Sequence, residues 1–353
     1  MIISRTPFRI SFFGGGSDYP EWYKEHGGAV LGTTINKYCY ISIRNLPPFF
    51  EHRHRIVYSR IELTKAIEEI EHPAVRAVLS EHPVQGGLEI QHHGDLPARS
   101  GMGSSSSFTV GLLNAVRAFQ GHMSLPQWLA SEAIRIEQDV IGEKVGSQDQ
   151  VWAAHGGTNL ISFHSDGRID VAPVMIGTER RAELESHLLL FFTGFARTAN
   201  LIAAQKIPNL KHRTHQLNSM IQMVREASAI LPNPRTPIRY LGAMFGEAWR
   251  LKKELADCTA TCDVDRIYDA AIGAGALGGK LLGAGGGGFM LIFAEPSTHG
   301  RIREALRGLI EVSFQTGSSG STIVVFEPEG LEEARRVTGA SNYARIKKAA
   351  ANQ

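Results

Sequence analysis

Cysteine is scarce in this chain, which contains three cysteines in 353 residues. Three are too few for a disulfide framework. Cys258 and Cys262 lie four positions apart, and no matching Cys or His pair accompanies them to complete a zinc site. Cys39 stands alone in the first half of the chain. We therefore expect reduced thiols and a cytoplasmic protein.

The sequence also lacks an excess of charge of one sign and any long apolar run. It has 37 Lys and Arg against 35 Asp and Glu, a formal net charge of +2. Such a balance indicates neither a nucleic acid nor a membrane surface as partner. Residues 1–7 do not have the order of a signal peptide, and no stretch approaches the roughly 20 apolar residues of a membrane helix. Formation of a homo-oligomer stays open.

The length and the 43% hydrophobic content predict two domains with sizeable cores. The first half mixes short strands with helices. The second half has long helices and then a strand, a helix and a strand through 289–326, which predicts an α+β domain with helices on one face of an antiparallel sheet. We place the domains at 1–180 and 181–340, followed by a tail at 341–353. The spacing of apolar residues predicts strands at 9–13, 38–44, 88–92, 188–192 and 289–293, a hairpin of 159–163 with 168–174, and helices at 63–70, 108–119, 126–140, 217–231, 240–255 and 263–277.

A glycine- and serine-rich segment at 96–107 is the most informative stretch. It runs directly into the apolar helical pattern at 108–119, so it is typical of a loop at a helix start rather than of a serine-rich linker. Glycines allow successive N–H groups to point inward, and the first turn of the helix adds unpaired N–H groups. Phosphate is the expected ligand. No Lys follows the glycines, and Ser106 stands where a dinucleotide fingerprint needs Gly or Ala, so neither common phosphate motif applies.

A second glycine run, at 283–288, formally matches a dinucleotide fingerprint. It follows a predicted helix and precedes a predicted strand, whereas a dinucleotide site needs strand, loop and helix in that order. The match therefore argues against such a site. We expect a closely packed or flexible loop that lines a cleft.

Three glycine-rich segments, at 7–19, 96–107 and 280–289, resemble in this order the three motifs of the GHMP kinases, and the resemblance covers nearly the whole chain. Glu137 and the segment 146–150 lie between the second and third motifs, as in that family. Segments 27–38, 104–114 and 275–283 are similar to a subgroup of it, the bacterial D-glycero-D-manno-heptose 7-phosphate kinases.

The resemblance implies an α+β fold of two domains with the active site in the cleft between them. The N-terminal domain would be of the ribosomal protein S5 domain 2-like type, and the C-terminal domain would be ferredoxin-like. It also implies a phosphotransferase with an alcohol group as acceptor and with ATP and Mg²⁺ as cofactors.

The resemblance assigns site residues position by position. Asp149 would be the general base, and Arg9 would stabilise the transferring phosphoryl group. Ser105 and Glu137 would bind Mg²⁺, a cation that takes oxygen ligands. The ATP phosphates would be bound by Arg99, Ser100, Gly101, Met102, Gly103, Ser104, Ser105 and Ser106. Taken singly, Glu137 could be a solvated helix residue, Asp149 a turn residue and Arg9 an edge-strand charge, so only their occurrence together with the loops favours catalysis.

Substrate recognition is assigned in the same way. Asp18 and Tyr19 match the position where sugar kinases of the family bind acceptor hydroxyls, and Gly285 is assigned to the substrate as well. Galactokinases carry Glu-His where this chain has Gly15 and Gly16, which disfavours galactose and leaves room for a bulkier sugar. A phosphate on the sugar needs a cation. Arg197 is the first candidate for that role and Lys280 the second.

The implied reaction is phosphorylation of the C1 hydroxyl of D-glycero-D-manno-heptose 7-phosphate to the 1,7-bisphosphate. By resemblance it belongs to GDP-heptose supply for bacterial surface polysaccharide, capsule or lipopolysaccharide. Two alternatives stay open: a kinase for an unphosphorylated sugar such as fucose, and a catalytically silent homologue that senses sugar and ATP.

Three residues depart from the subgroup, namely Arg99 for Gly, Met102 for Leu and Asn36 for Asp. A residue other than Gly is strained at position 99 if the backbone there needs a positive φ.

Overall fold

The computed structural model describes residues 1–47, 49–194, 207–255 and 261–327, without the side chains of 208, 209 and 211. The strands are β1 Ile2–Phe13, β2 Gly28–Asn45, β3 His54–Val57, β4 Ile61–Thr64, β5 Leu88–Gly94, β6 Thr158–Phe163, β7 Ile169–Pro173, β8 Leu188–Phe192, β9 Gly278–Leu281, β10 Phe289–Phe293, β11 Ile310–Glu311 and β12 Thr322–Phe326. The α-helices are α1 Pro20–His26, α2 Pro73–Glu81, α3 Ser104–Phe119, α4 Pro126–Arg135, α5 Gln148–His155, α6 Thr178–Ser186, α7 Thr214–Ile230, α8 Tyr240–Glu254, α9 Cys262–Gly273 and α10 His299–Ala305. A π-helical turn, Ile136–Val140, continues α4, and short 3-10 turns are formed by Ile67–Glu69, Ile207–His212 and Pro296–Thr298.

The strands form two sheets. In the first, the order is β12-β1-β2-β5-β3-β4, and β6 and β7 extend it beside the start of β2. The long strand β2 makes this possible, because β1 pairs along one edge while β6 and β5 share the other. The central helix α3 is buried over most of its length and packs against β1, β2 and α5. The first sheet thus holds the starts of α3 and α5 next to β1.

The second sheet is antiparallel and has the order β11-β8-β10-β9. Its strand β10 is buried on both faces, which explains its unbroken apolar sequence. Met290 and Ile292 belong to a core with α8, α9 and α10, whereas Phe293 belongs to the core shared with the first sheet. There Phe245 of α8 stacks on Phe13 with ring centroids 4.8 Å apart. One apolar core therefore holds the two sheets together.

Most predicted elements are confirmed, including the hairpin of β6 and β7 and the helices at 108–119, 126–140, 217–231, 240–255 and 263–277. The helix predicted at 63–70 is wrong. This stretch contains the end of β4 and a single 3-10 turn, Ile67–Glu69. The helical spacing of its apolar residues is outweighed by antiparallel pairing of β4 with β3, a tertiary interaction that the local sequence does not reveal.

The last strand is also corrected. We expected the strand near 326 to complete the second sheet, but β12 pairs with β1 in the first. A strap at 315–321 carries the chain back between β2 and α5, where Gly317 donates its N–H to Thr34 O at 2.8 Å. Asn36 of β2 binds this strap, because its Oδ1 accepts the N–H of Gln315 at 2.7 Å. The residues predicted as a second domain therefore lose their last strand to the first sheet. The boundary at 180 stays a prediction, and the tail at 341–353 lies outside the described residues.

Replacing Gly32 with Ala should destabilise the packing of α5 against β1 and β2. A Cβ on Gly32 would lie 2.5 Å from Ile10 O and 2.7 Å from the Trp152 ring of α5. Overpacking of this kind typically costs about 1–3 kcal/mol. We expect Gly32→Ala to lower the free energy of unfolding in urea by about that amount. Gly177→Ala, where a Cβ has no neighbour within 4 Å, is the matched control, and equal stability of the two variants would contradict the packing argument.

Candidate active site

A cavity lies where β1, the starts of α3 and α5, and the glycine run 283–288 meet. It brings together most residues that the sequence singled out: Arg9, Gly15, Gly16, Asp18, Tyr19, Arg99, Gly101, Gly103, Ser104, Ser105, Ser106, Asp149, Lys280 and Gly285. Ser100, Met102 and Glu137 are buried beside it and do not line it. Arg197 lies outside the described residues. The cavity is therefore the candidate active site.

Arg9 and Asp149 form a bidentate ion pair in this cavity. Arg9 donates Nε to Asp149 Oδ1 and Nη2 to Oδ2, both at 2.7 Å, and donates Nη1 to Gly101 O at 2.6 Å. Arg9 pairs with Thr34 of β2, and its own N–H donates to Met102 O at 3.1 Å. Asp149 lies in the first turn of α5. The Asp149 side chain is 24% exposed, against 6% for Arg9. A carboxylate has about four lone-pair sites, so Asp149 can accept a further hydrogen bond from a hydroxyl in the cavity.

The loop before α3 has the geometry of an anion site. Gly101 and Gly103 have φ of 79° and 75°, and Gly103 is the residue that precedes the helix. A Cβ on Gly103 would lie 3.2 Å from Arg9 Cγ, so the close approach of Arg9 also needs glycine. The N–H groups of the first turn of α3, at Ser104 to Ser106, have no intrahelical partner, and a helix start attracts negative charge. The loop can therefore bind phosphate oxygens.

The glycine run 283–288 packs directly against this loop, backbone on backbone. A Cβ on Gly101 would lie 2.5 Å from Leu282 O, and a Cβ on Gly283 would overlap Gly101. The N–H of Phe289 donates to Ser100 O at 3.2 Å. The expectation of a closely packed loop lining a cleft is confirmed. Burial in this contact also explains why Ser100 and Met102 are absent from the cavity wall.

Arg99 has a φ of 59°, and among the residues described it is the only one besides glycine with a positive φ. Its N–H donates to Ser104 Oγ at 3.1 Å, which ties this conformation to the helix start. Arg99 lines the cavity and is exposed. Strained backbone of this kind persists where the surroundings fix it, commonly at functional sites. The departure from glycine at this position therefore carries a conformational cost.

Glu137 is buried, and only one of its two carboxylate oxygens accepts hydrogen bonds. Glu137 Oε2 accepts hydrogen bonds from Ser106 Oγ at 2.9 Å and from Gln150 Nε2 at 2.5 Å, whereas Oε1 is buried with no partner. Burial, together with the nearby Glu143 carboxylate, raises the pKa of Glu137 to about 7. Ser106, rather than Ser105, donates the hydrogen bond to Glu137, and both serines line the cavity. The predicted binding of Mg²⁺ by Ser105 and Glu137 stays a prediction.

These residues fit a magnesium ion. Mg²⁺ prefers oxygen ligands and is usually bound through one or two carboxylates together with substrate phosphates. The unpartnered Oε1 of Glu137 is such a carboxylate oxygen, and the hydroxyls at the start of α3 are further oxygen donors.

The acceptor side of the cavity contains Asp18 and Tyr19, which precede α1. Asp18 Oδ1 accepts the N–H of Gly16 at 2.8 Å, and a Cβ on Gly146 would overlap the Asp18 carboxylate. Burial and the neighbouring carboxylates of Asp18 and Asp149 raise the pKa of Tyr19, so its hydroxyl keeps its proton and can donate. These groups suit recognition of hydroxyls.

Sequence reasoning missed several residues of the cavity wall. Gln148 accepts a hydrogen bond from Ser11 Oγ at 2.8 Å, and Lys144 and Lys252 add positive charge. Gln148 could have been found, because it lies in the motif segment 146–150. Lys252 had no local signal, because it lies among helix residues distant in sequence from every motif.

Replacing Glu137 with Gln should make stability less dependent on pH. A folded-state pKa near 7, against an ordinary value of 4.5, means that the protein prefers the protonated acid and loses stability as the pH rises from about 4.5 to about 7. Without nucleotide and in EDTA, Glu137→Gln should match the parent at pH 4.5 and exceed it by up to about 3 kcal/mol at pH 8. Urea unfolding at both pH values measures this. A difference that does not grow with pH would refute the assignment.

Replacing Arg99 with Gly should relieve backbone strain. A left-handed conformation costs an L-residue about 1–2 kcal/mol, and glycine avoids this cost. We expect Arg99→Gly to be about 1 kcal/mol more stable than Arg99→Ala, since both lack the guanidinium and only Ala keeps the strain. Thermal unfolding of the two variants decides the matter, and identical stability would show that position 99 is unstrained.

Within the parts of the chain that the structure describes, no helix is both long and apolar enough to span a membrane.

Comparison with known proteins agrees with this fold. Residues 63–157 match the GHMP kinases N terminal domain and residues 210–312 the GHMP kinases C terminal domain, together more than half of the chain. The chain is 29% identical over 322 residues to a D-glycero-alpha-D-manno-heptose 7-phosphate kinase of Campylobacter jejuni, covering 87% of this chain and 93% of that protein. It is 28% identical over 316 residues to a bifunctional fucokinase/GDP-fucose pyrophosphorylase of Arabidopsis thaliana, covering 82% of this chain and 29% of that protein.

Among solved structures, a D-glycero-D-manno-heptose 1-phosphate kinase from Bacteroides thetaiotaomicron superposes with a TM-score of 0.76 at 23% identity, covering 93% of this chain and all of that one. This likeness shows the fold. The first matched region contains β5 of the first sheet with α3, α4 and α5, and the second contains β9, β10 and β11 of the second sheet. Residues of both matched regions line the cavity. The chain therefore belongs to the GHMP kinase family, has its two-domain α+β fold, and is an ATP-dependent phosphotransferase with an alcohol group as acceptor, related to the heptose phosphate kinases.

Proposed function

We propose that this kinase transfers the γ-phosphoryl group of ATP to the C1 hydroxyl of D-glycero-D-manno-heptose 7-phosphate, giving the 1,7-bisphosphate. The observation that carries the proposal is the Arg9–Asp149 ion pair, which lies in one cavity with the phosphate-binding loop. A base and a cation next to a phosphate site are what phosphoryl transfer requires. The similarity to the heptose 7-phosphate kinase of Campylobacter jejuni supports the choice of sugar.

In the proposed reaction the loop at 101–106 holds the ATP phosphates through its N–H groups. The sugar C1 oxygen attacks the γ-phosphorus while the bond from that phosphorus to the β,γ-bridging oxygen breaks, and ADP leaves. Asp149 accepts the proton of the C1 hydroxyl and later releases it to water. Arg9 keeps Asp149 in place and stabilises the negative charge on the transferring group.

Magnesium is part of this proposal. Glu137 and Ser105 are the proposed protein ligands, and Ser106 holds the Glu137 carboxylate from the opposite side. When bound, Mg²⁺ would neutralise charge on the ATP phosphates. The protein supplies few ligands of its own, since the described residues contain no group of three or more His, Cys, Asp or Glu suited to a metal. ATP oxygens would complete the coordination.

The phosphate of the sugar needs a cationic receptor. Lys280 is buried in the cavity wall, where its Nζ donates to Phe12 O at 2.8 Å. It remains a candidate together with Arg197, which lies outside the described residues. Gly15, Gly16 and Gly285 line the same cavity and, as residues without side chains, would leave space for a seven-carbon sugar. Asp18 and Tyr19 would bind its hydroxyls. The product would feed the GDP-heptose supply for bacterial surface polysaccharide.

An unphosphorylated sugar such as fucose is the second candidate substrate, because the fucokinase of Arabidopsis thaliana is nearly as similar in identity. A catalytically silent sensor is disfavoured. Sensing sugar and ATP does not require a bidentate base and cation pair beside the phosphate loop, and this chain has one.

The substrate can be tested by ADP release with Mg²⁺ and ATP in the presence of D-glycero-D-manno-heptose 7-phosphate, the same heptose without phosphate, and L-fucose. We expect the highest kcat/KM for the heptose 7-phosphate, because the cavity is rich in cations. Phosphorus NMR of the product should show a second phosphate attached at C1. Faster turnover of L-fucose would replace the proposal with the fucokinase alternative, and no turnover with any sugar would favour the sensor.

The same assay tests the base. Asp149→Asn should lower kcat by about 10²–10⁴-fold, the usual contribution of a positioned base, with little effect on ATP binding. Asp139→Asn, an exposed Asp in the π-turn that does not line the cavity, is the control and should retain the parental kcat.

A further inference from the structure

Lys252 lies in the last turn of α8 with its side chain buried between the helix and the end of β9. Its side chain is 5% exposed. Its Nζ donates to Leu281 O at 2.7 Å and to Gly283 O at 2.6 Å. Lys253, the next residue, instead forms an ion pair with Asp265 at 3.1 Å, and its side chain is 38% exposed. Lys252 thus binds the backbone where the glycine run begins.

The glycine run needs such an anchor. All five of its glycines, at 283, 285, 286, 287 and 288, have positive φ. Glycine loses more conformational freedom on folding than any other residue, so a segment of this composition is costly to order. The Lys252 ammonium, which donates hydrogen bonds to two carbonyls, offsets part of this cost. Hydrogen bonds from a charged donor are stronger than those between neutral groups.

Gly283, whose carbonyl accepts from Lys252, packs directly against the phosphate-binding loop. Gly283 packs on Gly101 so closely that a Cβ at either position would meet the other segment. Gly101 O in turn accepts the Nη1 of Arg9, which holds Asp149. A continuous set of contacts therefore runs from Lys252 through Gly283 and Gly101 to the ion pair.

We propose that Lys252 is a positioning residue for ATP. By binding the carbonyls of Leu281 and Gly283, it holds the glycine run against the loop at 101–106 and so fixes the N–H groups that receive the phosphates. The proposal rests on the assignment of that loop to the ATP phosphates under the proposed function. It predicts an effect on nucleotide affinity rather than on the chemical step or on the sugar.

The test measures ATP binding by calorimetry with Mg²⁺ and without sugar. Lys252→Met keeps the length of the side chain and removes the donor, and we expect it to raise the Kd for ATP about tenfold or more, as loss of charge-assisted hydrogen bonds would. The kcat at saturating ATP should fall by a smaller factor than the affinity for ATP, because Arg9 and Asp149 are themselves unchanged. Lys252→Arg should recover part of the affinity, and Lys253→Met is the matched control with parental affinity.

Hydrogen exchange supplies a second readout, and its first part uses the parent protein alone. The N–H of Phe289 donates to Ser100 O across the contact, and the N–H of Leu282 donates to Phe289 O. ATP alone should slow exchange of both amides in the parent protein, and Lys252→Met should speed it. No slowing by ATP in the parent would overturn the proposal. So would an unchanged Kd for ATP in Lys252→Met, or an increase confined to the KM for the sugar.

These outcomes are distinguishable from a failure of the proposed function. If another sugar proves to be the substrate, the ATP affinity and the exchange rates still decide the role of Lys252.

Discussion

The contact between Gly101 and Gly283 is the constraint on which the site depends. Two loops from different sheets meet there with no side chain between them, so the distance between the sheets is set by backbone atoms. Three parts of the cavity wall adjoin this contact: the start of α3 on one side, the glycine run on the other, and Arg9 through its hydrogen bond to Gly101 O. Side-chain contacts adapt to substitution by changing rotamer, whereas a backbone contact between glycines does not. The glycines are therefore a structural requirement as well as a phosphate-binding one.

The carboxylates of Asp149 and Glu137 lie in different electrostatic environments. Asp149 is partly exposed and forms a bidentate ion pair with the Arg9 guanidinium. Glu137 is buried with neutral donors on a single oxygen, so its charge is disfavoured until a cation arrives. The acceptor side of the site thus has a carboxylate compensated by a fixed cation, and the nucleotide side has one whose charge depends on a bound cation. Such a division lets one cavity bind an anionic nucleotide without an excess of fixed negative charge.

Much of the fold and most of the residues of the cavity could be predicted from the sequence, because both depend on local signals. Glycine patterns marked the loops, apolar spacing marked the long helices, and the order of the three motifs brought Arg9, Asp149 and Glu137 together. What the sequence did not reveal depends on tertiary packing. The start of the segment 63–70 becomes the end of β4 because β3 is available to pair with it. The last strand, β12, joins the first sheet because the strap at 315–321 leads the chain back there. Ser106 rather than Ser105 meets Glu137 through helix rotation, and Lys252 reaches the cavity from a helix with no motif of its own.

The return of β12 to the first sheet also governs how the chain can be assembled. The N-terminal amine of Met1 donates to Glu327 O, so the first strand and the last described one lie side by side. During synthesis, β1 emerges early but one of its edges stays unpaired until residues 322–326 have left the ribosome, after the whole second sheet. The second sheet is in this sense an insertion within the first, and cutting the chain once between them cannot yield two complete folding units. The first sheet, whose strand β1 contains Arg9, is therefore complete only after β12 has been translated.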